Sequence, residues 1–251
     1  STLRFLQTYN LSLHKRKAYY IMVNKDSSLD ISNKTAAIEF DTITRNKASK
    51  KDLILLDNLI QEVNSYGYSI QYFFQLQAFS IKDRCLLPVI EKYIEEFEDP
   101  DFSILLLGYL GVPKLYEATT FLIKIFSQPN RKCNPQSCMS TRQASSSSLS
   151  RIKDERFQKQ YRDLIVAPDT HTDAHFLIEL LGFFENEENF SLLYSLLTDP
   201  DYSIRAFSIR ALGKYKQHRE QLLPILTKLS TAPCEPIVKE SIRYALRSLT
   251  K

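Results

Sequence analysis

The sequence predicts an all-α protein built as a stack of short antiparallel helix pairs. Three observations carry this expectation. Apolar residues recur at helical spacing through nearly every segment after residue 50, the links between segments are short, and strings of the same chemistry return along the chain. The 251 residues are 43% hydrophobic, which is enough to bury a sizeable core. Only five are glycine, which argues against Gly-rich phosphate loops and against many tight β-turns. Aromatic bulk comes from 14 Tyr and 15 Phe, since Trp is absent.

The first clear helix is 51–63, where Leu53, Leu56, Leu59, Ile60 and Val63 line one face and Ser49 can cap the start. Residues 71–80, 84–97, 102–111, 115–126, 174–184, 188–198, 202–215, 219–230 and 236–249 read the same way. Residues 1–70 form a less regular N-terminal segment with an atypical capping role. Within it, Leu3 to Tyr9 and Thr35 to Arg45 suit helices, while Ala18 to Val23 suits either a strand or a helix. Repeats are expected over 71–126 and again over 170–251, ending in a capping helix. Residues 127–169 interrupt them. Gln128-Pro129-Asn130, Cys133, Cys138 and the run Ser145 to Ser148 suggest a partly disordered insertion, followed by a single helix from Arg151 to Val166 that Pro168 would stop.

The repeat shows in paired strings. Leu86-Leu87-Pro88-Val89-Ile90 returns as Leu222-Leu223-Pro224-Ile225-Leu226, and Asp99-Pro100-Asp101-Phe102-Ser103-Ile104 as Asp199-Pro200-Asp201-Tyr202-Ser203-Ile204. Leu107-Gly108, Leu181-Gly182 and Leu212-Gly213 form a third set, the last two 31 residues apart. With residues 127–169 set aside, the 136 residues between the Leu-Leu-Pro strings reduce to three such periods. A period near 31 holding two helices is the mark of an α-solenoid, here of about four to five helix pairs. Each unit is chemically consistent. Asp199 can cap a helix, Pro200 fits its first turn, Asp201 adds negative charge near the N-terminus, and Gly213 suits the C-terminus. Ile204, Phe207, Ile209 and Leu212 face inward, and Leu222, Leu223, Ile225, Leu226 and Leu229 cover them.

The stretch from Asp201 to Gly213, followed by Leu222-Leu223-Pro224-Ile225-Leu226, resembles a HEAT-like repeat. Such repeats carry an acidic residue, a Val/Ile-Arg pair, then Ala-Leu-Gly and a second helix rich in Leu and Pro. Ile204-Arg205 and Ala211-Leu212-Gly213 fit this pattern over 199–236; earlier units lack the Arg, as where Ile104 is followed by Leu105. The resemblance implies that Arg205 pairs with acidic residues between units, with Asp199 or Asp201 as candidates. It also implies a concave face lined by the second helices.

The net charge of +4 divides into blocks: +6 over 1–51, −6 over 52–126, +4 over 127–169, −5 over 170–198 and +5 over 199–251. A surface patterned this way favours a protein or peptide partner with an acidic surface over a uniform nucleic-acid grip. Arg210, Lys214, Lys216, His218 and Arg219 cluster around one inter-helix turn. Lys228, Arg243 and Arg247 extend a basic side, and together these residues are the candidate partner-binding surface.

Other patterns read more plainly. His171 and His175 stand four apart, near Cys133 and Cys138, and could hold a metal. The preferred reading places His171 before the helix, with Thr172 or Asp173 as its cap, and expects no metal and no cofactor. Arg142-Gln143-Ala144-Ser145 matches a basophilic phosphorylation site, and Asn10, Asn33 and Asn189 begin sequons; both kinds of match arise readily by chance. Neither a signal peptide nor a membrane-spanning run of about 18 apolar residues is evident. No disulfide framework is evident either, so a reducing, cytoplasmic setting is expected. The chain starts at Ser1 and not Met, which leaves an upstream membrane anchor open.

The expected function is a non-catalytic protein–protein interaction scaffold of armadillo-like architecture. The resemblance supplies two alternatives: nucleic-acid binding of the DNA-glycosylase type, disfavoured by the absence of Trp, and a bilin-lyase type of enzyme.

Overall fold

A computed structural model describes residues 45–46, 48–76, 84–131 and 139–251. Every regular element among them is helical. In chain order these are α1 (Lys50–Ser65), α2 (Leu87–Glu96), α3 (Pro100–Leu110), α4 (Thr119–Ser127), α5 (Thr141–Ile152), α6 (Gln158–Val166), α7 (His175–Leu181), α8 (Glu187–Ser195), α9 (Tyr202–Leu212), α10 (Arg219–Thr231) and α11 (Pro236–Leu249). Short 3-10 turns join several of them. The fold is an all-α solenoid. The N-terminal elements expected before residue 44, and residues 77–80 of the helix expected at 71–80, lie outside the described residues; the described part of the latter forms a 3-10 turn at Phe73–Gln75.

The chain divides into two compact units, one of residues 1–110 with 130–144, the other of 111–129 with 145–251. In the first, Ser49 caps α1 as the sequence suggests, accepting from the Asp52 amide at 3.0 Å. Asp52 is itself buried and accepts from the Glu98 and Asp99 amides at 2.9 and 3.1 Å, which ties the start of α1 to the turn before α3. The Arg131 guanidinium donates to the carbonyl of Glu98 at 2.8 Å on the same turn. Phe73, Phe97 and Phe102 form an aromatic core, with Phe97 and Phe102 stacked at 4.8 Å.

Of the segment expected to be an insertion, residues 141–166 form a helix pair, α5 and α6. The Ser145 to Ser148 run is helical and almost entirely buried. Two physical reasons override its composition. A serine hydroxyl inside a helix can bond a nearby carbonyl, and Ser145 Oγ donates to Leu122 O at 2.5 Å. Serine is also small enough for a neighbouring backbone to approach: a Cβ built on Gly111 would lie 2.8 Å from Ser148 Oγ and 3.0 Å from its Cα. The expected single helix over 151–166 is broken at Lys153, whose φ of 58° ends α5; α6 begins at Gln158. The 136 residues between the two Leu-Leu-Pro strings therefore span four helix-pair steps, from α2 to α10, and not three.

The first helices of successive pairs, α7, α9 and α11, pack directly on one another. α9 shows why. Ile204, Ala206, Ser208, Ile209, Ala211 and Leu212 are all buried, so the helix is covered on more than one face and uses small residues where its neighbours come closest. A Cβ on Gly182 would meet Ala211 Cα at 2.8 Å, and one on Gly213 would meet Ala245 Cα at 2.8 Å. Gly213 is the C-cap, but its φ of −60° is ordinary helical backbone. Close approach, not a left-handed turn, is what requires glycine there. Gly108 has no such neighbour, so its Leu-Gly resemblance to Gly182 and Gly213 is coincidental; Gly111 occupies the equivalent contact.

Helix starts also shift from expectation. Asp201 caps α9, accepting from the Ser203 and Ile204 amides at 2.7 and 3.4 Å, and Pro200 lies before the helix. Asp199 instead accepts from the Asp201 amide at 2.9 Å and so shapes the turn. On the second helix, Leu222 and Leu226 are buried, whereas Leu223, Ile225 and Leu229 are half-exposed.

Gly213→Ala should cost about 1–3 kcal/mol, because α11 must move away from a fixed backbone contact. Gly108→Ala, in open space within α3, should stabilise by up to about 1 kcal/mol. Urea midpoints of the two variants moving in the same direction would contradict this assignment.

Candidate partner-binding surface

The residues of the expected basic patch separate into two groups. Lys216, Arg219, Lys228, Arg243 and Arg247 are exposed, and among the described residues none forms an ion pair. Arg243 and Arg247 share the outer face of α11 with Tyr244, which is 52% exposed. The inner face of that helix buries Val238, Ser241, Ile242, Ala245 and Leu249, so the helix is sharply two-sided.

Arg210, Lys214 and His218 are engaged within the unit. Arg210 Nε donates to Ser241 Oγ at 3.1 Å and its guanidinium lies 5.6 Å from the Phe207 ring centre, which joins α9 to α11. His218 stacks on Phe190 at 3.7 Å and its Nε2 is 3.1 Å from a Glu187 carboxylate oxygen. Lys214 Nζ lies 3.3 Å from the ring centre of Phe183 and 3.4 Å from Glu179 O. Burial pushes the Lys214 amine down to about 8; the Glu179 charge opposes that shift and the Lys153 charge adds to it.

Two residues here escaped the sequence reading. Phe183, 47% exposed, lies in the turn after α7. Lys153, in the turn after α5, places its Nζ 3.4 Å from the same ring centre. Lys153, Phe183 and Lys214 are roughly thirty residues apart in turn, and only the stacking of pairs brings them together.

Arg205 links two helix pairs within the second unit. Its Nη2 donates to both carboxylate oxygens of Glu235 at 3.0 and 2.9 Å, and its Nη1 to the carbonyls of Asp199 and Pro200 at 2.7 and 3.1 Å. The acidic partner is thus Glu235 in the next pair, and not the side chain of Asp199 or Asp201. Tyr215, fully buried, donates toward the Leu181 and Phe184 carbonyls, each at 3.1 Å, and braces the opposite edge.

The two candidate metal ligands do different work. His171 lies in a 3-10 turn before α7, with Nδ1 2.7 Å from Ile165 O and Nε2 2.9 Å from Asp199 Oδ2. His175 is buried against Phe176 and Phe207, with ring centres 4.4 and 4.9 Å away. Neither Thr172 nor Asp173 caps α7; the N-cap is Ala174, which has no side-chain bond to give. No cluster of three or more metal-ligating side chains exists among the described residues, and Cys133 and Cys138 lie outside them. Ser145 and Asn189 are both fully buried, so neither is open to phosphorylation or glycosylation in the folded chain. Among the described residues no helix is long and apolar enough to cross a membrane.

The matched family is decided by residues 164–247, which fit the profile described as HEAT repeats. These residues are HEAT repeats. The match runs from the end of α6 into α11, and the helix pair α5–α6 carries the same close contacts upstream of most of it. Among solved structures the chain is similar to the designed armadillo repeat protein YIII(Dq)4CqI, at 13% identity and a TM-score of 0.39, over 93% of this chain and 98% of that one. A comparison with curated proteins finds no match.

His175 makes the HEAT repeats acid-sensitive. Burial lowers its folded pKa to about 4 from an unfolded value near 6.5, its bond to the Thr172 backbone opposing the shift. The unfolded chain therefore takes up a proton first as pH falls. Stability on the order of 3 kcal/mol is present above pH ~6.5 and is lost between there and pH ~4. His175→Leu should flatten the pH dependence of the urea midpoint across that window; an unchanged slope would refute the assignment.

Proposed function

We propose that the chain is a non-catalytic scaffold that binds an acidic protein or peptide on the basic surface of its last HEAT repeats. HEAT and armadillo repeats are commonly protein-interaction scaffolds. The observation that carries the reading is the row of exposed cations without internal counter-charges: Lys216 and Arg219 at the start of α10, Lys228 near its end, and Arg243 and Arg247 on the outer face of α11. Charges left in water on a rigid support steer and select a complementary partner more than they stabilise a fold. Tyr244 adds an exposed aromatic contact among them.

Support for a non-catalytic role comes from the described histidines. His171 is tied to Asp199, His175 is sealed among rings, and His218 is stacked on Phe190, so each has a structural task. The location of the chain follows the same reading, with a reducing, cytoplasmic partner as its setting.

The triple variant Lys216→Glu, Arg219→Glu and Arg243→Glu tests this surface. Arg247 is kept because a cation in the last turn of α11 favours the helix. Binding of a fluorescent Glu-rich peptide should weaken roughly tenfold or more, with strong salt dependence and an unaltered melting temperature. Equal affinity of variant and parent for the peptide, or tighter binding of a single-stranded oligonucleotide than of the peptide, would overturn the reading.

A further inference from the structure

We infer that the turns after α5, α7 and α9 form a carboxylate-binding site, in which Lys153 and Lys214 hold an acidic side chain of a bound peptide at the exposed edge of Phe183. This rests on the scaffold reading and adds a defined anchor to it.

Three features converge. First, two ammonium groups lie 3.4 and 3.3 Å from one ring centre, and among the described residues neither forms an ion pair with a carboxylate. Cation–π contacts compensate each lysine separately, but the two charges repel one another. Among the described residues the one hydrogen-bond acceptor for Lys214 is Glu179 O at 3.4 Å, a long contact for a group with three donors. An anion at the ring edge, within reach of both flexible amines, reduces the repulsion and gives those donors an acceptor.

Second, Lys153 holds a backbone φ of 58°, the left-handed region that a residue with a Cβ enters at a cost. Glycine or asparagine would occupy that turn more easily. The lysine there supplies what neither could, an ammonium group reaching the turn after α7. Third, Lys214 is half-buried, so its charge has lost part of its water, and the Glu179 carboxylate, which forms no ion pair with it, offsets only part of that loss.

The ring favours a carboxylate on a peptide over a free anion. Phe183 is 47% exposed and offers apolar contact to the methylenes of a Glu side chain, while its edge carries the positive part of the ring quadrupole. The site also continues in chemical character toward neighbouring turns. Arg156, held by the buried carboxylate of Asp154 at 2.7 Å, lies 5.3 Å from the ring centre of Tyr116, which is 41% exposed. Cation and aromatic thus alternate along successive turns, which suits an extended acidic chain with interspersed apolar residues.

The test uses the full chain and the same fluorescent Glu-rich peptide. Lys153→Asn keeps a residue tolerant of the left-handed turn, and Lys214→Met keeps the apolar stem over Phe183. The double variant should bind the peptide roughly tenfold more weakly. A second measurement needs no variant: amine acylation of the parent protein, read by mass spectrometry, should label Lys214 readily and the peptide should protect it. Unaltered peptide affinity in the double variant, no protection of Lys214, or equal protection by inorganic phosphate alone would each overturn the site. Loss of binding in the triple variant of α10 and α11 with full binding in this double variant would overturn this site alone. Absence of binding to the parent protein would overturn the scaffold reading with it.

Discussion

Close approach between consecutive first helices governs the second unit. Where a Cβ on Gly182 or Gly213 would come within 2.8 Å of the next helix's backbone, there is no room for any other residue. That distance sets the step of the stack, and the step sets which turns become neighbours. Dispersion contacts between backbones need small residues on both sides, so Gly182 faces Ala211, Gly213 faces Ala245, and Gly111 faces Ser148. The second helices are then free to be amphipathic. On α10 only Leu222 and Leu226 are buried, and the rest of its surface remains open to carry charge.

Polar bonds fix what close packing alone leaves free, the rotation of one pair on the next. Several such bonds in the second unit land on backbone or on a carboxylate of a neighbouring pair. His171 reaches Asp199, Arg205 reaches Glu235, and Tyr215 braces the Leu181 and Phe184 carbonyls behind it. Asn189, buried completely, accepts from Arg162 at 2.7 Å and donates to Phe184 O at 2.8 Å. Groups buried this way are costly unless satisfied, so they select one arrangement over others more than they add stability. Asp52 does the same in the first unit through two backbone amides.

The fold was legible where a repeat states itself in apolar spacing and caps, as from α7 to α11. It was misread where composition and packing disagree. Ser145 to Ser148 look like a loop because free serines prefer water, yet in α5 all four are buried and Ser148 lies against Gly111, where a larger residue would not fit. Counting α5 and α6 as an insertion then reduced the apparent number of steps from four to three. Glycine carried a similar ambiguity: the same Leu-Gly pair marks tight packing at Gly182 and nothing at Gly108. At the binding surface, Lys214 was legible as part of a basic cluster. Its neighbours were not, since Phe183 and Lys153 belong to other pairs and reading along the chain cannot register contacts made across it.

Two kinds of cation therefore follow from one architecture. Those on the outer face of α11 and at the start of α10 stay in water, where screening weakens any short-range role and, on the proposed reading, leaves them to attract a partner. Lys153 and Lys214 are drawn onto a ring by the step of the stack, and the lost hydration of half-buried Lys214 would make a bound anion worth more there than in the open. Long-range attraction without a desolvated anchor gives fast but shallow capture, and an anchor without attraction is found slowly. On the proposed reading the second unit carries both between the turn after α5 and α11, because the small-residue contacts that fix the step also decide how near the turn side chains come to one another.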